Sequence, residues 1–569
     1  MKMYYKNIVI VITAILWVGI CSCTDSVKES IPEIIYSIRP KVTDGITMIQ
    51  IDMSFKAEPS GITKLSYQDN AWGEENLYNA IDTIYSRDER LQFFKNSDSN
   101  FIVIKHPKEL RKLDITYVLK QDFKNEINSN SRYRPVINED YFHIFSHNLF
   151  MLPYAEEENP NYNINLNWVD FPETFRIHNS FGSDERIQVF ENITEEKFHS
   201  AIFVGGDFRI YKKDIQGNSL VLATRGDWIP FTDQEVFDLL YTTVNAQRSF
   251  WQDHSQKYFT VTMLPFPQER GSSFGGTGLT NSFATSVSNN EETSLDQLAY
   301  LFNHELMHNW IGHTIKNEAE EAQYWFSEGF TDYYTYKNIA RNQINGLDKK
   351  YYIEQLNSII KSLFASPVAD KPNSEISYEN FWSDSYYEKL PYHRGALFAF
   401  ILDLKIQQES DNKYSLDDVM RKILEDSKQD LLLNDELFIN AVNKFTKADY
   451  RPFFNMHINE GKLLDLKSIF NELNLDYLTE AQVFDQGFVS DKDTKIVIKV
   501  ISGSAAEKAG LQVGDKLTFW SIYRDNIEKE IELKVIREGK ELFIHYLPIK
   551  EVDLVQLSTD TDNLDKIVL

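Results

Sequence analysis

At 569 residues the chain is far longer than one hydrophobic core sustains, and on the order of three or four domains are expected. Hydrophobic content of 42% with 30 Tyr and 38 Phe excludes extended disorder and implies well-filled cores. A formal net charge of −26 excludes nucleic acid and an anionic membrane surface as partners of the folded body, because no basic footprint exists to displace counterions.

In chain order, the first element is an apolar run from Ile8 to Ile20, preceded by Lys2 and Lys6. Its length suits the core of a secretory signal and falls short of a membrane span. The sequence Ile20-Cys21-Ser22-Cys23 that follows resembles the bacterial lipoprotein box. That resemblance implies removal of the leader within residues 1–23 and lipid on Cys23. The mature protein would then be exported and tethered to a cell-envelope membrane, on its periplasmic or surface side. Cys21 and Cys23 are the only cysteines, so no disulfide framework is available and no thiolate can ligate a metal in the body of the protein.

Residues 24–195 read as a β-rich N-terminal domain. Ile49, Ile51, Met53 and Phe55 alternate with polar residues, as do Ile164, Leu166 and Trp168, which is the period of a half-buried strand. A β-sandwich-like arrangement accounts for both runs. Residues 196–479 change character. Val236, Leu239, Leu240 and Val244 fall at helical spacing, Tyr258 to Leu264 reads as a strand, and Leu295, Leu298, Leu301 and Phe302 predict another helix. Further on, Leu416, Val419, Ile423 and Leu424 form an apolar stripe behind a capping-box pattern, Ser415-x-x-Asp418.

Residues 480–550 make a last module. The run Gly503-Ser504-Ala505-Ala506 through Gly514-Asp515 is similar to the core of bacterial PDZ domains, with Gln486-Gly487-Phe488 at the place of the carboxylate-binding loop. The resemblance implies capture of peptide C-termini by strand addition. Packing against the catalytic domain is the competing role. Residues 551–569 read as a loose acidic tail.

The chemistry is concentrated at His304-Glu305-Leu306-Met307-His308 and at Trp325-Phe326-Ser327-Glu328-Gly329. Histidines four apart on a helix project from one face and reach one Zn2+ ion. Glu305 lies about 100° round the helix from His304, placed to act as a base rather than as a ligand. Glu328 is the candidate third ligand, leaving one tetrahedral position open. Such a site hydrolyses amide bonds: Glu305 takes the proton of the attacking water and delivers it to the leaving amine, and an OH donor stabilises the oxyanion. Tyr392 is the candidate donor, with Tyr386 and Tyr387 as alternatives.

These residues, with Asn309-Trp310 after the second histidine and Gly329-Phe330 after the acid, resemble the gluzincin peptidases of the aminopeptidase N and glycyl aminopeptidase type. The resemblance implies a thermolysin-like α/β-plus-helical catalytic domain within a multidomain α+β protein. It assigns the metal to His304, His308 and Glu328 and the catalytic tyrosine to Tyr392 in Tyr392-His393-Arg394-Gly395-Ala396, where Arg stands for the usual Lys. The PDZ-like module favours the glycyl aminopeptidase branch, whereas the 19 residues between His308 and Glu328 are far fewer than that branch has.

A second departure concerns the substrate. Aminopeptidases of these families grip the free amine with a carboxylate on a strand edge. The matching stretch here is Gly275-Gly276-Thr277-Gly278-Leu279-Thr280-Asn281, with Thr280 at the place of the acid. Gly275, Gly276, Thr280 and Asn281 are therefore the candidate substrate-binding residues, with Glu291 and Glu292 as acids nearby. Peptides or proteins are the expected substrates, by exo- or endo-cleavage. Two other readings compete: a non-catalytic envelope lipoprotein that binds peptides through the PDZ-like module and the N-terminal domain over a structural or vestigial zinc site, and epoxide opening by the same zinc chemistry. The intact Glu305 argues against the first, and no residue favours the second.

Overall fold

The computed structural model describes residues 33–569 apart from 97–99, 125, 129 and 525. The expected leader and Cys23 lie outside the described residues. No helix among those described is long and apolar enough to cross a membrane.

Three sheets build the N-terminal region. The largest has six strands in the order Ile187–Thr194, Asn161–Trp168, Glu33–Thr43, Ile46–Lys56, Lys112–Lys120, Ile81–Tyr85. Its alternation is the one expected from the sequence: Ile49, Ile51, Met53 and Phe55 point inward, as do Ile164, Leu166 and Trp168. They share one core with residues of a four-stranded sheet (Leu152–Pro153, Ile62–Ser66, Phe101–Lys105, Gln92–Asn96). A third, five-stranded sheet includes Tyr141–Phe145 paired with Ile202–Gly206. The N-terminal sheets therefore run past the expected boundary at 195, to residue 206. Phe145, Ile202 and Val204 of this last sheet join Leu264, Phe266 and Ala284 of the next region in a continuous apolar cluster.

The next region begins with a five-stranded sheet in the order Arg209–Ile215, Asn218–Thr224, Tyr258–Phe266, Ser282–Ser288, Phe274–Leu279. The strand Phe274–Leu279 is its edge, antiparallel to Ser282–Ser288. One face is covered by Asp233–Trp251, which opens on a Thr232/Glu235 capping box, and by Leu295–Met307, which opens on a Ser294/Gln297 capping box. After this the chain is helical. The apolar stripe of Leu416–Ser427 is buried and the Ser415/Asp418 capping box is present.

The C-terminal module hangs on a two-stranded ribbon, Tyr477–Phe484 with Ile549–Leu557. Between these strands, Phe488, Val497, Leu511, Leu517, Leu533 and Ile544 form a core of their own. The Gly514-Asp515 turn is fixed by the Asp515 carboxylate, which accepts the Gln512 N–H at 2.9 Å and pairs with Arg537. Residues 551–569 are not a loose tail. Leu557 and Ile567 are buried in the helical core, and Asn357 exchanges two hydrogen bonds with the Leu557 backbone at 2.8 and 2.9 Å. Apolar residues spaced through an otherwise acidic segment anchor it.

Candidate metal centre

The helix Leu295–Met307 carries His304 in its last turn, and His308 caps its C-terminus. Glu328 sits in a π-helical turn, Trp325–Phe330, that runs into the helix Thr331–Arg341. Wide turns of this kind recur at functional sites because they re-aim a side chain within a helix. Ligand atoms of His304, His308 and Glu328 all lie within 4.8 Å of one another. The two Nε2 atoms are 3.3 Å apart, and Glu328 Oε2 is 3.5 Å from one and 3.9 Å from the other. Among the described residues no other group of this kind occurs.

The opposite ring nitrogens are anchored. His304 Nδ1 meets Asp332 Oδ1 at 2.9 Å, and His308 Nδ1 meets the Ile311 carbonyl at 3.1 Å. A carbonyl can only accept, as can an ionised carboxylate, so each Nδ1 carries the proton. In the neutral ring each Nε2 lone pair is then the one that faces the common point. Asp332 is held in turn by the Tyr300 hydroxyl at 2.7 Å. Sequence reasoning gave Asp332 and Tyr300 no role. The available signal was their spacing, Tyr300 one turn before His304 and Asp332 one turn after Glu328.

These donors, two imidazoles and one carboxylate with an anchored outer layer, fit Zn2+. The electrostatics point the same way. Burial opposes charge on His304, yet Asp332 and Glu328 override it and lift its pKa to about 10. Burial likewise opposes charge on Glu328, but the two histidines draw its carboxyl down to about 2. In the absence of metal the two form an ion pair, a protonated His304 against an ionised Glu328. Burial raises Glu305 above the ordinary carboxylate range, with His304 and His308 pulling the other way.

Tyr392 is brought in by a close helix contact. It lies on Ser385–Glu409, its ring 6.0 Å from the His304 ring and nearly parallel to it. Burial, followed by the Glu328 charge, pushes its hydroxyl far above the ordinary phenol range, so it remains a donor. The approach depends on two glycines. A Cβ on Gly395 would lie 2.0 Å from the Trp325 carbonyl, and one on Gly329 would lie 2.5 Å from the Gly395 Cα. The glycines of Ser-Glu-Gly and His-Arg-Gly thus let the two backbones touch. Tyr386, one of the alternatives, is exposed, and Tyr387 bonds Glu375 at 3.3 Å.

The substrate end is built differently. Gly275 and Gly276 lie on the edge strand; a Cβ on Gly275 would collide with the Arg132 guanidinium of the N-terminal region. Thr280 and Asn281 form the turn to the next strand, with Asn281 at φ 51°, a conformation that suits asparagine. Both line a cavity of about 300 Å3 with Lys197, Arg248, Asp253, Asn309, Trp310 and His313. Its one carboxylate, Asp253, is engaged by Trp310 Nε1 at 3.3 Å and Lys428 at 3.4 Å. Glu292 is drawn away by the Gly271 N–H at 2.8 Å and Glu291 is exposed, so neither replaces the acid.

Residues 272–455, which hold every ligand and Tyr392, match the model of the Peptidase family M1 domain. Among solved structures, the chain superposes on a crystal structure of an aminopeptidase N family protein from Idiomarina loihiensis with a TM-score of 0.69. Identity is 17%, over 93% of this chain and 99% of that one, so the likeness is one of fold. A two-domain M1 zinc metallopeptidase variant solved with L-tryptophan aligns at a TM-score of 0.44 and 11% identity, over 77% of this chain and 96% of that one. Comparison with curated proteins gives no match.

Proposed function

We propose that this protein is a zinc-dependent peptidase whose catalytic site is built by His304, His308, Glu328, Glu305 and Tyr392. The observation that carries the reading is the convergence of the two Nε2 atoms and the Glu328 carboxylate on one point, with each Nδ1 committed elsewhere. A zinc ion held there would supply Lewis acidity to the attacking water and the scissile carbonyl. Glu305, not among the ligands and raised by burial, accepts the water's proton and returns it to the leaving amine. Tyr392, protonated at all relevant pH, donates to the developing oxyanion.

Cleavage in the manner of an aminopeptidase is the narrower reading, and Thr280 counts against it: a desolvated ammonium without a carboxylate is costly. Cuts that do not require a free amino terminus fit better. Peptides with free and with acetylated N-termini, digested with and without chelator, decide the matter, with Glu305→Gln as the blank. Chelator-sensitive cuts indifferent to acetylation are expected. Loss of single residues only from free termini would establish an aminopeptidase, and no hydrolysis by zinc-loaded protein would reject the reading.

The C-terminal module reads as a brace rather than a peptide trap. In the expected carboxylate loop the Gly487 N–H already donates to Asp485 at 2.9 Å, and that carboxylate repels a second one. Tyr523 of the module reaches Glu292, beside the edge strand, at 3.4 Å. Envelope anchoring through Cys23 completes the proposal; labelling with a fatty-acid analogue, abolished by Cys23→Ala, tests it.

A further inference from the structure

The edge strand Phe274–Leu279 pairs with Ser282–Ser288 in a fixed register, Phe274 opposite Val287 and Leu279 opposite Ser282. The Ser288 N–H donates to the Ser273 carbonyl at 2.9 Å, which makes that a hydrogen-bonded pair. In an antiparallel ladder such pairs alternate, so Gly275, Thr277 and Leu279 spend their peptide groups inward. Phe274, Gly276, Gly278 and Thr280 turn theirs outward, to the side where a further strand would add.

Two of those outward groups are already taken, both by the N-terminal region. The Tyr133 hydroxyl donates to the Gly276 carbonyl at 3.1 Å. The Ser200 carbonyl accepts the Thr280 N–H at 2.7 Å. Between these clamps lies Gly278, exposed, with open space where a Cβ would be. Among the described residues its carbonyl meets only the adjacent Thr277 hydroxyl, at 3.4 Å. Tyr133 is not a remote surface residue. Its hydroxyl is raised above the ordinary phenol range by burial and, less strongly, by the Glu305 charge. Its ring leans on Phe145 and Trp72, each at 5.8 Å, so its position is set by packing.

We propose that the N-terminal region determines how a peptide adds to this edge: Tyr133 and Ser200 confine pairing to Gly276 and Gly278, and the peptide residue opposite Gly276 needs no N–H. The window offers the N–H groups of Gly276 and Gly278 but only the carbonyl of Gly278. It is donor-rich, and it accepts proline or an N-alkylated residue at the position where an ordinary edge strand would reject it. Tyr133 acts as a specificity-determining residue, 143 positions away in sequence from the glycine it caps.

The inference rests on the peptidase reading, and binding is therefore measured apart from catalysis. The probe is an acetylated, amidated heptapeptide of alanines with one central phenylalanine, together with its singly N-methylated analogues. Each is titrated into the zinc-loaded full chain carrying Glu305→Gln, with Tyr133 intact and with Tyr133→Phe; zinc content and melting temperature confirm that both fold. At one position, methylation is expected to change affinity less than twofold with Tyr133 present. The same methylation should cost about threefold to tenfold in Tyr133→Phe, the value of one hydrogen bond to the uncovered carbonyl. No position responding to Tyr133→Phe, or no binding of any probe, overturns the proposal. The expected response without hydrolysis by the Glu305 protein supports it and rejects only the peptidase reading.

Discussion

The candidate metal centre and the candidate substrate-binding stretch are built on opposite terms. At the metal end the histidines are held from behind. Two histidines come from one helix and an acid from the next. Each outer nitrogen has its own acceptor, and Asp332 has the Tyr300 hydroxyl behind it. At the candidate substrate-binding stretch, Thr280 and Asn281 make a turn, the one carboxylate lining their cavity is paired with Lys428, and the groups that bind the edge strand come from a different region of the chain. Chemistry of bond cleavage tolerates little displacement, so it is fixed by local spacing and second partners. Recognition is set by what leans over the edge, and it can change while the metal site stays as it is.

The largest expected effect attacks the metal end through packing alone. Gly395→Ala puts a methyl group 2.0 Å from the Trp325 carbonyl, a backbone atom that cannot yield unless the helices part. Overpacking of this kind costs about 1–3 kcal/mol, and a shift near 1 Å between Tyr392 and Glu328 lowers turnover on the order of 100-fold. Turnover measured beside zinc content separates the two: zinc retained with turnover lost is the expected result. Unchanged turnover would show that the helix contact does not set the site.

Next in size is Asp332→Asn. It removes the charge that, with Glu328, keeps His304 protonated to about pH 10 in the absence of metal. Outer partners of this sort are worth about 10–100-fold in metal affinity. The sign of the proton linkage follows. Metal needs neutral His304, so loading below pH 10 releases its proton, and apparent affinity falls about tenfold per unit as pH drops. Calorimetry in buffers of different ionisation enthalpy should show that release in the wild type and a smaller one near neutral pH in Asp332→Asn, because the variant's histidine starts less protonated. Equal release in both would remove Asp332 from the account.

The same contrast governs how much was legible in the sequence. His304, His308 and Glu305 follow from helical periodicity within five residues and Glu328 from the helix-like segment after them, whereas Tyr392 rests on the family resemblance of its segment; the glycines of the last two segments permit the close approach. The alternating strands at Ile49 to Phe55 and Ile164 to Trp168 were readable for the same local reason. Asp332 lay within the segment that was read, yet its role is visible only where two helices meet. Tyr133 and Ser200 reach the edge strand from a turn and a helix end of the N-terminal region, and no local pattern marks them. The strand Ile202–Gly206 is apolar in both directions, so periodicity could not assign it to the N-terminal sheets. The final residues misled because net acidity outweighed the few buried anchors, Leu557 and Ile567.

Thr280→Glu addresses the substrate end and should have the smallest effect. Thr280 lines the cavity with Asn309 and Trp310, which follow His308 in sequence, so a carboxylate there would face the C-terminal side of the metal-bearing helix. Arg248 and Lys197 line the same cavity and would draw part of its charge. A charge-assisted hydrogen bond to a free amine is worth about 1.5–3 kcal/mol when nothing competes, and those cations reduce it. The expected gain is therefore about tenfold or less in kcat/KM for free over acetylated peptides, with zinc content and the rate on acetylated peptides nearly unchanged. A larger gain would mean that Thr280 alone separates this protein from an aminopeptidase. No gain would place the barrier in the clamps at Tyr133 and Ser200, which fix how far a peptide enters before its terminus meets residue 280.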